Sequence, residues 1–328
     1  MSRNPTFLKR QWFIIALVSL LVIGLGFPAT FEVATSWKLA RNLIVACVLF
    51  LTSLPLETKS IKQTLRRPAA AGLAVFINFG VLPAIALLMA KFMSREWATG
   101  FVVAAAAPCT VASAAVWTRR AGGNDVVAIM TTVITNGLCF LITPMWLTFI
   151  AGTEDVSISA AGMVSKLSLL VFLPMLLGQL LRSNEKVAAW STSNKAMLGT
   201  LAQAGLLGIV FVGAIHCGLH LQSSDLSGSD FFGGLVVMLL ACALLHTAML
   251  FLGQSLGRGI GLGRPEWIAV GFAGSQKTLM IGLQIALMVG GGLTILPMVA
   301  YHMIQLLIDT VIADRLRDAE EKGRDEDL

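Results

Sequence analysis

The sequence predicts an all-α polytopic membrane protein with ten transmembrane helices. Composition, the length of the apolar stretches and the placement of the basic residues carry that prediction. Of 328 residues, 56% are hydrophobic and 13% are charged, against roughly 25% charged in a soluble domain. Mean hydropathy is +0.80. So few charges cannot cover a water-soluble fold with this much apolar side chain. A disordered chain, a disulfide scaffold and an ordinary soluble enzyme are excluded. The net charge of +6 then reads as a topology signal, and nucleic acid is not an expected partner.

Ten apolar stretches follow in order: 12–27, 38–55, 69–91, 97–118, 124–150, 160–181, 196–219, 231–256, 265–290 and 293–313. Each approaches the roughly 20 residues that span a bilayer. The first is short and needs Phe27 and Pro28 to reach the interface. Lys9 and Arg10 precede it as in a signal peptide, but more spans follow, so it reads as an uncleaved helix. The apolarity is continuous, whereas membrane β-strands alternate. Trp12, Trp37, Trp97, Trp146, Trp190 and Trp267 fall near stretch ends, as an aromatic belt requires. Cys47, Cys109, Cys139, Cys217 and Cys242 lie in apolar stretches without a CxxC pair and read as small packing residues.

With the N-terminus inside, 18 of the 24 Lys and Arg residues fall on the cytoplasmic side, among them Arg3, Lys59, Lys62, Arg66 and Arg67. Five fall outside: Lys38, Arg41, Lys91, Arg95 and Lys166. This positive-inside asymmetry implies an even number of spans with both termini cytoplasmic, in a membrane of the bacterial inner type. Ten spans divide into two sets of five, and an odd number inverts the second copy. The expected units are 1–150 and 151–316, followed by a cytoplasmic tail at 317–328.

The repeat shows in the fourth and ninth stretches. One starts Arg95-Glu96-Trp97 and the other Arg264-Pro265-Glu266-Trp267. About ten residues later each meets a polar, small-residue interruption: Ala107-Pro108-Cys109-Thr110 in one, Gly274-Ser275-Gln276-Lys277-Thr278 in the other. At about 1.5 Å rise per residue both fall near mid-membrane. Pro108 removes a backbone donor, and freed carbonyls and half-helix ends can hold ions or solute. Pro83, Pro144, Pro174 and Pro297 read as simple kinks.

Lys277 is the most informative residue. An ammonium at the bilayer centre costs about 3 kcal/mol or more unless it is partnered. It is expected where the two interruptions cross, facing a cavity near Gln276 and the Pro108 turn. Four roles stay open: a structural cation on backbone carbonyls, a replacement for a bound sodium, a holder of an anionic substrate, or a proton exchanger. Asp309 is the first candidate counter-charge, although its position toward the cytoplasmic end also lets it reach water. Asp125 opens the fifth stretch, where a carboxylate suits a helix N-terminus or a gate. His216 and His220 have an i, i+4 metal-binding spacing but lack a third ligand. Asn78, Asn136, Gln284 and Gln305 read as interhelical glue.

The run Ala107-Pro108-Cys109-Thr110-Val111-Ala112-Ser113, then Thr118-Arg119-Arg120-Ala121-Gly122-Gly123-Asn124-Asp125 and Met130-Thr131-Thr132, resembles the bile acid:sodium symporter family. With Gly274-Ser275-Gln276-Lys277-Thr278-Leu279, it is most similar to the SBF-like branch. The resemblance covers nearly the whole chain. It implies ten helices in a panel and a core, with broken helices four and nine crossing. It also implies sodium as coupling ion, held by Ser113, Thr131 and Gln276. The chain departs from that pattern at Ala114, where the family has Asn, and at Val127. It departs again at Phe272, where the family has an acidic ligand, and at Lys277, where it has Asn.

These readings converge on a secondary transporter of a small organic, anionic or amphipathic solute, with no other cofactor. Lys277, Gln276, Ser275, Ser113, Thr131, Pro108, Thr110 and Thr278 form the expected site, with Asp309 and Asp125 as gating or counter-charge residues. The alternative is a proton-coupled or ion-independent carrier with Lys277 in place of sodium. An enzyme is not expected, because no suitable acid–base or nucleophile set falls in the spans. A channel should show a continuous polar ring.

Overall fold

In a bilayer each backbone polar group must find its partner within the protein, and a continuous apolar run does so as a helix. A computed structural model describes residues 7–56, 68–110, 112–151, 160–224 and 227–326. Arg3 and the basic segment Lys59, Lys62, Arg66 and Arg67 lie outside the described residues, so their expected side is not addressed by it.

Helix α1 is Phe7–Gly26 and α2 is Lys38–Ser53, joined by one-turn helices at Pro28–Phe31 and Val33–Ser36. Helix α3 spans Pro68–Ala90 and contains a π-turn at Ile77–Val81. The fourth stretch divides into α4, Arg95–Ala106, and α5, Ser113–Arg120. Then come α6, Asp125–Ala151, and α7, Ala160–Arg182, with a second π-turn at Ser168–Phe172. Next are α8, Glu185–Ser193, α9, Lys195–Ser223, and α10, Gly228–Gly259. The ninth stretch divides into α11, Arg264–Ser275, and α12, Leu279–Val289. A 3₁₀ turn at Gly292–Ile295 leads into α13, Leu296–Glu326, so residues 317–326 continue that helix.

All ten expected stretches are therefore helical. Among the described residues, seven helical segments are long and apolar enough to cross a membrane, and Trp12–Gly26 is a shorter apolar helix. Of the rest, α2 has 16 residues and the fourth stretch is cut in two.

The helices pack as two groups. In one, α9 lies against α1 and α2, and α7 against α2. In the other, α11 lies against α3, α6 and α10, while α13 packs on α4 and α10. The interrupted segment Arg264–Val289 is the most enclosed, with 83% of its window buried, against 22% for Ala160–Arg182. The second interruption is thus central, and α7 presents most of its surface outward. One backbone approach demands glycine on both sides: a Cβ on Gly253 would stand 3.0 Å from the Cα of Gly271. That lets α10 and α11 touch closely, the usual device of membrane helix pairs.

Two expectations change. Trp97 is buried against Phe231, and the indole of Trp146 donates to the carbonyl of Phe79 at 2.6 Å, so these two serve packing. Trp37 and Trp190 are exposed, as belt residues are. Pro83 and Pro174 are not simple kinks: each stands two residues beyond a π-turn. Four of the five cysteines are buried.

Candidate functional site

Pro108 fixes the first interruption. The residue before a proline is driven to extended backbone, and Ala107 has φ −65° and ψ 151°. The carbonyls from Ala106 to Thr110 then lack helical donors, and each finds another partner. Thr143 Oγ1 donates to the carbonyl of Ala106 at 2.8 Å, and Lys277 Nζ to that of Ala107 at 2.9 Å. The Thr278 amide donates to the Pro108 carbonyl at 2.9 Å. Asn136 Nδ2 serves Cys109 at 2.9 Å, and Thr132 Oγ1 serves Thr110 at 2.8 Å.

The second interruption is satisfied in the same way. Asn78 Nδ2 donates toward the carbonyls of Ala273, Gly274 and Gln276, at 3.1, 3.3 and 2.9 Å. Tyr301 Oη donates to the Ser275 carbonyl at 2.9 Å. The side chain of Gln305 pairs with both backbone groups of Lys277: its Nε2 donates to the carbonyl at 3.0 Å and its Oε1 accepts from the amide at 2.8 Å. A buried backbone group without a partner costs as much as a lost hydrogen bond, and here side chains from α3, α6 and α13 supply the partners.

The two interruptions meet directly. Besides the Thr278–Pro108 bond, Gln276 Oε1 accepts from Thr110 Oγ1 at 2.8 Å, and Ser113 Oγ lies at 2.8 Å from the same oxygen. On its other side, Gln276 Nε2 donates to Asp309 Oδ2 at 2.5 Å. Asp309 Oδ1 is 2.8 Å from His246 Nε2, and both side chains are fully buried. One amide thus links the hydroxyls of the first interruption to a buried carboxylate–imidazole pair.

Asp309 therefore neither reaches water nor serves as counter-charge to Lys277. The ammonium is buried and is held instead by the carbonyl of Asn78 at 2.7 Å, Asn78 Oδ1 at 3.1 Å and the carbonyl of Ala107. It sits where the interruptions meet, as expected, but it lines none of the three described cavities. Ser275 Oγ turns back onto the Gly271 carbonyl at 2.9 Å, and Thr278 is the N-cap residue just before α12.

Of the three residues that the resemblance proposed for sodium, two are in direct contact with each other. Ser113 and Gln276 are adjacent, but Thr131 Oγ1 donates within its own helix to Val127 at 2.9 Å. Phe272 packs with Leu250, Ile268 and Ala313 in an apolar cluster. Asp125 begins α6 beside Arg119, whose Nε donates to it at 2.8 Å. His220 faces the carboxylate of Glu96 at 2.9 Å, and no metal-holding group of three His, Cys, Asp or Glu occurs among the described residues. Sequence reasoning missed His246, and it gave Asn78 no more than a structural role. Their polarity within apolar stretches was the available signal.

A cavity of 440 Å³ lies beside the first interruption. Thr52 and Leu56 of the first helix group and Lys195 at the start of α9 form one wall. Ala112, with Val116 and Arg119 of α5 and Asp125 of α6, also lines the cavity. It therefore sits on the boundary between the two groups.

Comparisons with known proteins place the chain among transporters. The family model of the SBF-like CPA transporter family matches residues 11–318. The chain is 26% identical over 326 residues to an uncharacterized protein of Pseudomonas aeruginosa, covering 96% of this chain and 95% of that one. It is 27% identical over 330 residues to the "Probable sodium/metabolite cotransporter BASS4, chloroplastic" of Oryza sativa subsp. indica, covering 96% of this chain and 78% of that one. It is 22% identical over 327 residues to the "Sodium/bile acid cotransporter 7" of Mus musculus, covering 94% and 93%. An integral membrane chain with two interrupted helices meeting in its interior, matched along nearly its whole length, belongs to the SBF-like CPA transporter family.

Proposed function

We propose that the chain is a secondary carrier that moves a small organic, anionic or amphipathic solute by alternating access. The observation that carries this is the direct meeting of the two interrupted helices through Thr278–Pro108 and Gln276–Thr110. Irregular backbone at membrane depth is tolerated only where it is covered or lines a cavity, and paired interruptions of this kind mark transport sites. We read the ten helical stretches as two inverted sets of five. The α1, α2, α7 and α9 group is the panel, and the remainder is a core that rocks against it. The 440 Å³ cavity on their boundary is largely apolar, with Lys195 and the Arg119–Asp125 pair in its lining, which suits an amphipathic solute. Both termini are cytoplasmic, in a membrane of the bacterial inner type.

The relatives' printed names support sodium as the coupled ion. A second reading, solute movement that is independent of sodium or coupled to protons, is favoured by Phe272 and Lys277 at two expected ligand positions.

The test is a screen of organic anions by thermal shift on the purified chain, with and without sodium. A solute at about 100 times its Kd should stabilise the protein by about 2.7 kcal/mol. Hits are then followed as flux into proteoliposomes under imposed sodium or proton gradients. A folded protein that binds and moves none of them removes the carrier reading. Flux unchanged when choline replaces sodium selects the second reading of the coupling.

A further inference from the structure

Three oxygens converge on Lys277 Nζ, and two prolines explain two of them. In an α-helix the Leu82 amide would donate to the Asn78 carbonyl. In the π-turn it donates instead to Ile77. The next residue that could serve Asn78 is Pro83, which has no N–H. The Asn78 carbonyl is therefore free to face the ammonium. The Ala107 carbonyl is freed by the extended backbone before Pro108. The third oxygen, Asn78 Oδ1, is oriented by its own amide, whose Nδ2 is fixed on the carbonyls of the second interruption. An ammonium has three N–H donors and no acceptor, matching three acceptors at 2.7, 2.9 and 3.1 Å. A neutral amine would leave one of them without a donor. The ring of Phe79 lies 5.8 Å from the nitrogen and adds a cation–π contact. No carboxylate is among the ammonium's hydrogen-bond partners, since Asp309 is engaged by His246 and Gln276.

We propose that the Asn78 carbonyl, Asn78 Oδ1 and the Ala107 carbonyl form a seat for one monovalent cation, which Lys277 keeps filled with a tethered ammonium. Neutral oxygens around a single charge suit an alkali or small alkylammonium ion and are a poor match for a divalent one, which collects carboxylates. The protein thus carries its own cation at the joint of the two interruptions. This inference stands apart from the carrier reading, because it can be read without any solute.

The experiment uses full-length Lys277→Ala, purified beside wild type. Thermal unfolding is followed in choline chloride and, at equal ionic strength, in sodium, potassium, ammonium or methylammonium chloride. Wild type should unfold at the same temperature in all five salts. Lys277→Ala should unfold lower in choline and show a saturable upward shift with at least one of the four small cations. Lys277→Ala/Asn78→Ala should lose that shift, and Lys277→Met, whose chain still fills the space, should not show it. If Lys277→Ala cannot be extracted folded in choline, extraction is repeated in each small cation; recovery in one of them supports the seat, and failure in all of them overturns it. A folded Lys277→Ala that unfolds at one temperature in all five salts also overturns it. Absence of any solute flux in wild type, with the cation shift of Lys277→Ala intact, would remove the carrier reading alone.

Discussion

Gln276 hydrogen-bonds both to the first interruption and to α13. Its oxygen is used by Thr110 and its nitrogen by Asp309. A buried acceptor left without its donor costs about 1–3 kcal/mol, and a second carboxylate beside Asp309 adds like-charge repulsion. Gln276→Glu should therefore lower the unfolding temperature more than Gln276→Leu, because both lose the amide donor to Asp309 and only Glu adds a second carboxylate beside it. Equal unfolding temperatures for Gln276→Glu and wild type would show that the bridge carries no weight. Lys277 and Gln276 stood out in the sequence because charge and amide are expensive at membrane depth. Asn78 and His246 did not, because their partners are carbonyls and carboxylates that adjoin them only after the chain has folded.

A five-residue π-turn precedes Leu-Pro in both α3 and α7, at Ile77–Val81 and Ser168–Phe172. Proline removes the donor for the carbonyl four residues back, and the widened turn shifts the bonding by one residue, so carbonyls are freed. In α3 they are put to use: Phe79 receives the Trp146 indole and Asn78 receives Lys277. This makes the role of Trp146 conditional on Pro83. In wild type, Trp146→Phe should cost about 1–3 kcal/mol by leaving the Phe79 carbonyl unserved. In a Pro83→Ala background the backbone amide gained at that position can serve the carbonyl, and the same substitution should cost less. A double-mutant cycle on unfolding temperature reads the difference, and strictly additive costs would contradict the account. The sequence showed a proline within an apolar stretch. It did not show the π-turn, because register within a helix is settled by packing on its neighbours.

For the molecule as a whole, the asymmetric basic residues predict the orientation. A reporter active only outside the membrane should be silent when fused after Leu328 and active when inserted after Ser224. The opposite pattern would invert the topology and remove the inverted-repeat reading with it. At the end of the bundle assigned to the cytoplasm, Arg120 pairs with Asp314 at 2.7 Å and Arg264 with Glu320 at 2.7 Å. These pairs join α5 and α11, one from each interrupted stretch, to α13. Partly exposed pairs contribute about 0–1 kcal/mol. Arg120→Gln should therefore change the unfolding temperature little, and a large drop would assign that pair a structural role.

The sequence by itself determined the solvent, the number of apolar stretches, the location of both interruptions and the residue types that occupy them. These follow from local quantities: apolar length, backbone donors removed by proline, and charges too costly to leave in lipid without a partner. Only the tertiary structure decided which groups pair. Lys277 goes to Asn78 and Ala107, Asp309 goes to His246 and Gln276, and Thr131 stays within its own helix. Those choices depend on which freed carbonyl lies within about 3 Å of which donor. That distance is set by the packing of α3, α6, α10 and α13 around the two interruptions, across separations of up to 199 residues in the chain.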